Sequence, residues 1–316
     1  MAVSHLMGID ETRQMPRKAK MGFKEALMSL DLFTQMTLTG INLGLMYALI
    51  AIGLTLIFGI MRIIQYANGE LFMLGAYVLY YWFAVMKWPY WLGILASAVI
   101  IFVLGVGLQV LLFRPLHGKN ILYSLAVSMG LIFILSSGGL IGFGTVVRGI
   151  PSIVTGGVRI FGAFFTYERM VISIFSAALI AALWFFLQRT TLGMAMRAVS
   201  EDPEVSSLQG INTQRIHWIA FGLGSALAAV AGCLMGTLMS IVPTMGFMAT
   251  MKAFMIVIMG GLGSVVGALI GGFIIGFIDS FLTTIISADV AYIMGFMAIF
   301  VILVFKPAGL FGQQWE

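Results

Sequence analysis

Apolar runs of roughly twenty residues alternate with short polar interruptions along nearly the whole chain. A bilayer core about 30 Å thick is crossed by about 20 apolar residues in a helix, so each run predicts a span. The runs lie near 36–60, 71–86, 91–113, 121–143, 170–187, 216–238, 250–262, 266–284 and 290–305. Two of them, 71–86 and 250–262, are short for a full crossing, which leaves eight or nine spans with one only half-spanning. The expected fold class is all-α: a polytopic membrane bundle with broken or half-spanning segments. Residues 1–34 read as a polar, basic arm carrying Arg13, Arg17, Lys18, Lys20 and Lys24, and residues 35–316 as one transmembrane domain. The end of the arm, GFKEALMSLDLF, has the pattern of an amphipathic helix at a membrane surface.

The longest polar interruption in the second half runs from Arg189 to Ile216 and carries Arg197, Glu201, Asp202, Glu204 and Arg215. So much charge has to lie in water, yet the stretch is rich in helix formers, which predicts an exposed helix between two spans. Asp202 suits the cap and Pro203 the first position of a further helical turn, because proline's missing N–H costs nothing there. Gly210 and Asn212 supply a stop. A structured polar loop on a membrane protein is commonly a contact surface.

Composition sharpens the class. The 316 residues are 61% hydrophobic and 9% charged, and the mean hydropathy is +1.07, far outside the range of soluble domains. The 38 glycines fit close helix packing in a membrane. A single cysteine, Cys233, excludes an internal disulfide and a cysteine-based metal site. The net charge of +5 is spread over loops and tails, as suits an anionic leaflet, and calls for no nucleic-acid partner. No apolar stretch of signal-peptide type precedes the basic residues of the arm. The basic connections at Arg114–Asn120, in the 189–216 loop and at Lys306 fall on one side by odd–even counting, taken as cytoplasmic, with 144–169 outside. The same counting puts the basic arm outside, against the rule, so the side of the arm stays open.

Three groups of residues bear on function. Between Tyr47 and Val78 two apolar segments are joined by Arg62, Gln65, Asn68, Gly69 and Glu70, too few residues for a roomy loop. One reading is a broken-helix junction lining a pathway, since ionisable residues at membrane depth face the bundle interior or a cavity. The other is a short interfacial turn in which Asn68 and Glu70 cap the next helix. Between Met251 and Phe281, Gly260, Gly261, Gly263 and Ser264 break a helix, and Gly263, Gly267 and Gly271 recur every fourth residue as a packing groove. Unwound backbone in a membrane is tolerated only where protein or a wet cavity satisfies it. Asp279 and Lys252 are lone charges near span ends, read as interfacial anchors in preference to coupling residues. His5, His117 and His217 have no metal spacing, no Ser/His/Asp set can be assembled, and no GxxxxGK[ST] occurs, so neither catalysis nor ATP binding by that motif is expected.

GLMYALIAIGLTLIFGI followed by NGELFMLGAY, then TLGMAMRAVSEDPEVSSLQGIN, then KAFMIVIMGGLGSVVGALIGGFIIG, with KPAGLFG at the end, resembles the permease subunit of ATP-binding-cassette importers of the branched-chain amino acid type, a group that includes urea and amide permeases and is distantly similar to ribose-type permeases. The resemblance spans residues 36 to 312. It implies an inner-membrane, non-enzymatic transport subunit without cofactor. The implied partners are a second homologous permease, two ATPase subunits, a soluble solute-binding protein and the lipid membrane. It implies that the 189–216 loop docks in a groove of the ATPase, with Arg197, Glu201 and Asp202 making polar contacts and Leu208, Gly210 and Ile211 forming the seat and turn. Tyr47, Gln65, Asn68, Glu70, Gly260, Gly261 and Gly263 are then the candidates for the translocation pathway. The junction departs from the family's usual Asn-Phe-Ala-His-Gly-Glu, reading Gln65, Tyr66, Ala67, Asn68, Gly69, Glu70, which leaves the solute open between a branched-chain amino acid and a urea- or amide-like molecule. The alternative mechanism is a secondary transporter driven by an ion gradient, with Glu70 or Asp279 as the ion site.

Overall fold

The structure is a computed structural model that describes residues 17–116, 118–160 and 163–312; His5 and Arg13 of the expected arm, and His117, lie outside them. Eleven helices make up almost all of it. Seven are long and apolar enough to cross a membrane, and the shorter apolar helix Met245–Gly260 joins them. The chain is a multi-pass membrane bundle, and the nine apolar runs each form a helical segment. The one β element among the described residues is a hairpin, β1 (Gly157–Ile160) paired antiparallel with β2 (Ala163–Thr166), inside the 144–169 connection.

Helix α1 (Arg17–Met61) is 45 residues long, so the expected boundary at residue 34 falls inside it, and the GFKEALMSLDLF stretch continues the first span instead of lying apart from it. It packs along α10 (Val265–Ile285) and α8 (Thr213–Leu238). Small residues allow the close approach of α1 to α10: a methyl added at Gly272 would sit 2.8 Å from the Ala48 nitrogen, and one at Gly276 would sit 2.5 Å from that of Gly44. The expected ladder divides accordingly. Gly267 and Gly271 face α9 (Met245–Gly260), Gly272 and Gly276 face α1, and Gly263 stands before the helix, whose cap is Ser264 accepting from the Gly267 N–H at 3.0 Å.

The polar interruptions act as helix starts. Asn120 caps α4 (Ile121–Phe143), accepting from the Leu122 N–H at 3.1 Å, and Ser287 caps α11 (Ala288–Phe305). α3 (Tyr90–Leu108) lies against α8, and α4 and α11 are the most exposed spans. α5 (Tyr167–Arg189) returns beside α1, where the Asn42 side chain donates to the Arg169 carbonyl at 3.1 Å and the Ser173 hydroxyl at 2.7 Å. Arg114, the 189–216 segment and Lys306 therefore gather at one end of the bundle, while the hairpin and the start of the first span, near residue 30, lie at the other.

Candidate functional site

Helix α1 stops at Met61, and Arg62 adopts φ 52°, a left-handed turn that reverses the chain. Residues 63–67 then run back along α1 without helical structure, and α2 (Asn68–Leu79) begins level with Ile50, whose carbonyl accepts from the Asn68 side chain at 3.5 Å. The junction is a re-entrant break inside the protein. Gln65 and Asn68 are fully enclosed, Glu70 nearly so, and α2 has no side-chain cap, which removes the interfacial-turn reading. α9 closes the break from the side: Thr250 accepts from the Gly69 N–H at 3.1 Å and donates to the Tyr66 carbonyl at 3.1 Å, and Tyr66 stacks on Phe254 at 4.3 Å. A Cβ at Gly69 would collide with the Gly246 carbonyl and the Thr250 hydroxyl, so glycine is required there by the closeness of the two backbones. Among the described residues, both polar atoms of the Gln65 side chain, the side-chain oxygen of Asn68 and one oxygen of Glu70 have no hydrogen-bond partner, an unusual concentration of unsatisfied groups for a membrane interior.

Lys252 on α9 and Asp279 on α10, lone anchors on the sequence reading, are joined in the structure. The Lys252 ammonium lies 2.6 and 2.7 Å from the two Asp279 oxygens, and the Tyr47 hydroxyl on α1 donates to the same carboxylate at 2.8 Å. The ammonium also sits 5.0 Å from the centre of the Tyr292 ring on α11 and 5.8 Å from that of Tyr47. Four helices thus converge on one ion pair whose side chains are only 12% and 10% exposed. Hydropathy registers each charge as a local dip and carries no information on pairing; the available signal was that a charge stranded in a span is costly and seeks an opposite one. Two adjoining cavities of about 420 and 320 Å³ share Lys252, Tyr47 and Tyr292 in their walls. Of the pathway candidates, Tyr47 lines both cavities, whereas Gln65, Asn68 and Glu70 are packed in the neighbouring break.

At the other end, α6 (Thr191–Glu201) and α7 (Pro203–Leu208) form the polar segment. Gly193, Met196 and Val199 bury one face of α6, and the Thr190 hydroxyl caps it by accepting from the Gly193 N–H at 3.0 Å. Asp202 caps α7, accepting from the Glu204 and Val205 N–H groups at 2.9 and 3.0 Å, with Pro203 in the first turn as expected. Gly210 takes φ 85° and ends the turn; Asn212 starts α8, accepting from the Arg215 N–H at 3.0 Å, and so is a cap where a stop was expected. Arg197 is committed to Gln188 at the end of α5, at 2.8 Å, while Glu201 points to the surface and Ile211 is half-buried. Leu208 is 87% exposed at the tip.

The glycine break belongs to this end. Gly261 and Gly263 have φ 103° and 84°, and Gly260, Gly261 and the final described residues interlock: the Leu310 and Phe311 N–H groups donate to the Met259 and Gly260 carbonyls at 2.9 and 3.0 Å. Gly263 shares a cavity of about 310 Å³ with Arg197, Ser200, Glu201 and Phe311. Of the three glycines among the pathway candidates, Gly263 lines this cavity beside Arg197 and Glu201, while Gly260 packs on Gly267 and Gly261 on Gly312.

Residues 36–305 match the family described as "Branched-chain amino acid transport system / permease component". The chain is 34% identical over 295 residues, 89% of its length and 96% of the relative's, to the high-affinity branched-chain amino acid transport system permease protein LivH of Escherichia coli K12. It is 33% identical over the same span to LivH of Salmonella typhimurium and 30% to BraD of Pseudomonas aeruginosa. With this extent of similarity across the membrane domain, the chain belongs to the permease component family of branched-chain amino acid transport systems, and is a transport subunit, not a catalytic enzyme.

Proposed function

We propose that this chain forms one half of the pore of an ATP-driven, binding-protein-dependent importer that moves a branched-chain amino acid across a bacterial inner membrane. A second, similar permease completes the pore, and a soluble binding protein delivers the solute at the hairpin end. Two ATPase subunits dock on α6–α7, which with Lys306 faces the cytoplasm. The observation that carries this reading is the α6–α7 projection: it is capped at each helix start and presents Leu208 and Val205, 87% and 48% exposed, beyond the lipid-crossing spans. Two exposed apolar side chains on a charged, capped projection outside the spans offer an apolar patch rimmed by polar groups for a partner to cover. Its neighbour Gly263, through the shared cavity, gives ATPase closure a route to the glycine break and so to α9 and α10. Nucleotide then shifts the pore between two states by binding one of them better.

Co-purification of the tagged chain from its native membrane tests this. The wild type is expected to bring an ATPase and a second permease; Leu208→Glu is expected to lose the ATPase while keeping the permease, at unchanged helical content. An ATPase that stays bound to Leu208→Glu and to the double variant Arg197→Glu/Glu201→Arg would overturn the docking assignment. Solute movement by the purified chain alone, driven by an ion gradient and indifferent to ATP, would overturn the importer.

A further inference from the structure

The two cavities at the hairpin end differ in chemistry; their shared wall holds Lys252, and its ion-pair partner Asp279 stands in the wall of the larger one. The larger adds Asp279 and the polar groups of Asn42, Thr283 and Thr284. The smaller excludes Asp279 and is lined by Ile50, Phe72, Met245 and Met248, with Met235 and Met239 common to both. A charged lobe beside a flexible apolar lobe, with a cation and an anion where they meet, matches one class of small molecule: opposite charges at one end and a hydrocarbon group at the other. We propose that the lobes together bind an aliphatic α-amino acid as its zwitterion, the ammonium on Asp279, the carboxylate on Lys252 and the side chain among the methionines.

The inference rests on the importer reading and specifies where that importer recognises its solute within the membrane. Removing one member of a buried pair is costly because the other charge is left uncompensated. A zwitterion avoids that cost: as Lys252 and Asp279 part, each gains a partner of the same sign as the one it gives up. Tyr47, which donates to Asp279, and the Tyr292 ring, which faces the Lys252 ammonium, line both cavities and so stand beside the exchange. A neutral urea or amide offers neither charge and leaves the pair closed. Methionine side chains adapt to differing aliphatic shapes, so the apolar lobe accommodates leucine, isoleucine and valine alike.

The test uses the assembled complex in proteoliposomes, with its binding protein and leucine as the probe, and reads leucine uptake and ATP hydrolysis together. Lys252→Met/Asp279→Asn leaves no stranded charge; it is expected to assemble and hydrolyse ATP on addition of loaded binding protein, while leucine uptake falls at least about tenfold. Lys252→Asp/Asp279→Lys restores an ion pair in reverse and is expected to assemble but not to regain uptake, since the charges now oppose the orientation that the apolar lobe imposes. Full uptake by the neutral double variant, or rescue by the reversed pair, would overturn the inference and leave the importer standing. A wild-type complex that moves no leucine under ATP would overturn both.

Discussion

Asp202 shows how one side chain can answer two descriptions. Its charge and exposure suit a contact with a partner, but its carboxylate is occupied by the Glu204 and Val205 N–H groups that begin α7. Asparagine caps as well as aspartate, whereas alanine costs about 1 kcal/mol of helix stability. Asp202→Asn is therefore expected to keep full ATPase association and Asp202→Ala to weaken it, by binding titration of the purified subunits; equal loss in both would return the role to charge. Gly69 is constrained more severely. Gly69→Ala forces its methyl against the Gly246 carbonyl and is expected to destabilise the fold by about 1–3 kcal/mol, read as a lower melting temperature in detergent. The sequence marks Gly69 as the companion of Asn68 and Glu70, yet the reason for a glycine is the crossing of α9, which brings Gly246 and Thr250 from far along the chain.

At the scale of elements, legibility follows the range of the forces involved. Spans were readable because about 20 apolar residues satisfy a bilayer whatever surrounds them, and α4 occupies the expected 121–143. The Asp202 cap was readable because it acts within three residues of itself; Thr190 and Ser264 cap helices over the same short range, found only in the structure. The start of α9 was not: it forms from Met245, earlier than the expected 250, because the turn before it is held by a backbone bridge between Ile241 and Arg148, a partner in another connection. The rise of 63–67 along α1 was equally hidden, since its enclosure depends on α9. The Lys252–Asp279 pair belongs with these, being a property of two helix faces that no single span displays.

For the molecule as a whole, the arrangement of ends makes a topological prediction. With Cys233 buried and therefore a silent background, single cysteines introduced at Asp31 and Leu208 are expected to react with a membrane-impermeant maleimide from opposite faces, and Lys306→Cys from the face of Leu208. Labelling of Asp31→Cys and Leu208→Cys from one face would break the assignment of α1 as a crossing. The interlock at the end of α9 bears on how such a chain is made. The Met259 and Gly260 carbonyls receive their donors from Leu310 and Phe311, which emerge from the ribosome only after α10 and α11. While those helices are still being threaded into the membrane, the glycine turn has nothing to bond with but water at the bilayer surface. The nascent bundle thus waits on its last helices before the end that carries α6 and α7 can set, and a chain stalled before residue 310 presents a complete set of spans with an unlatched floor.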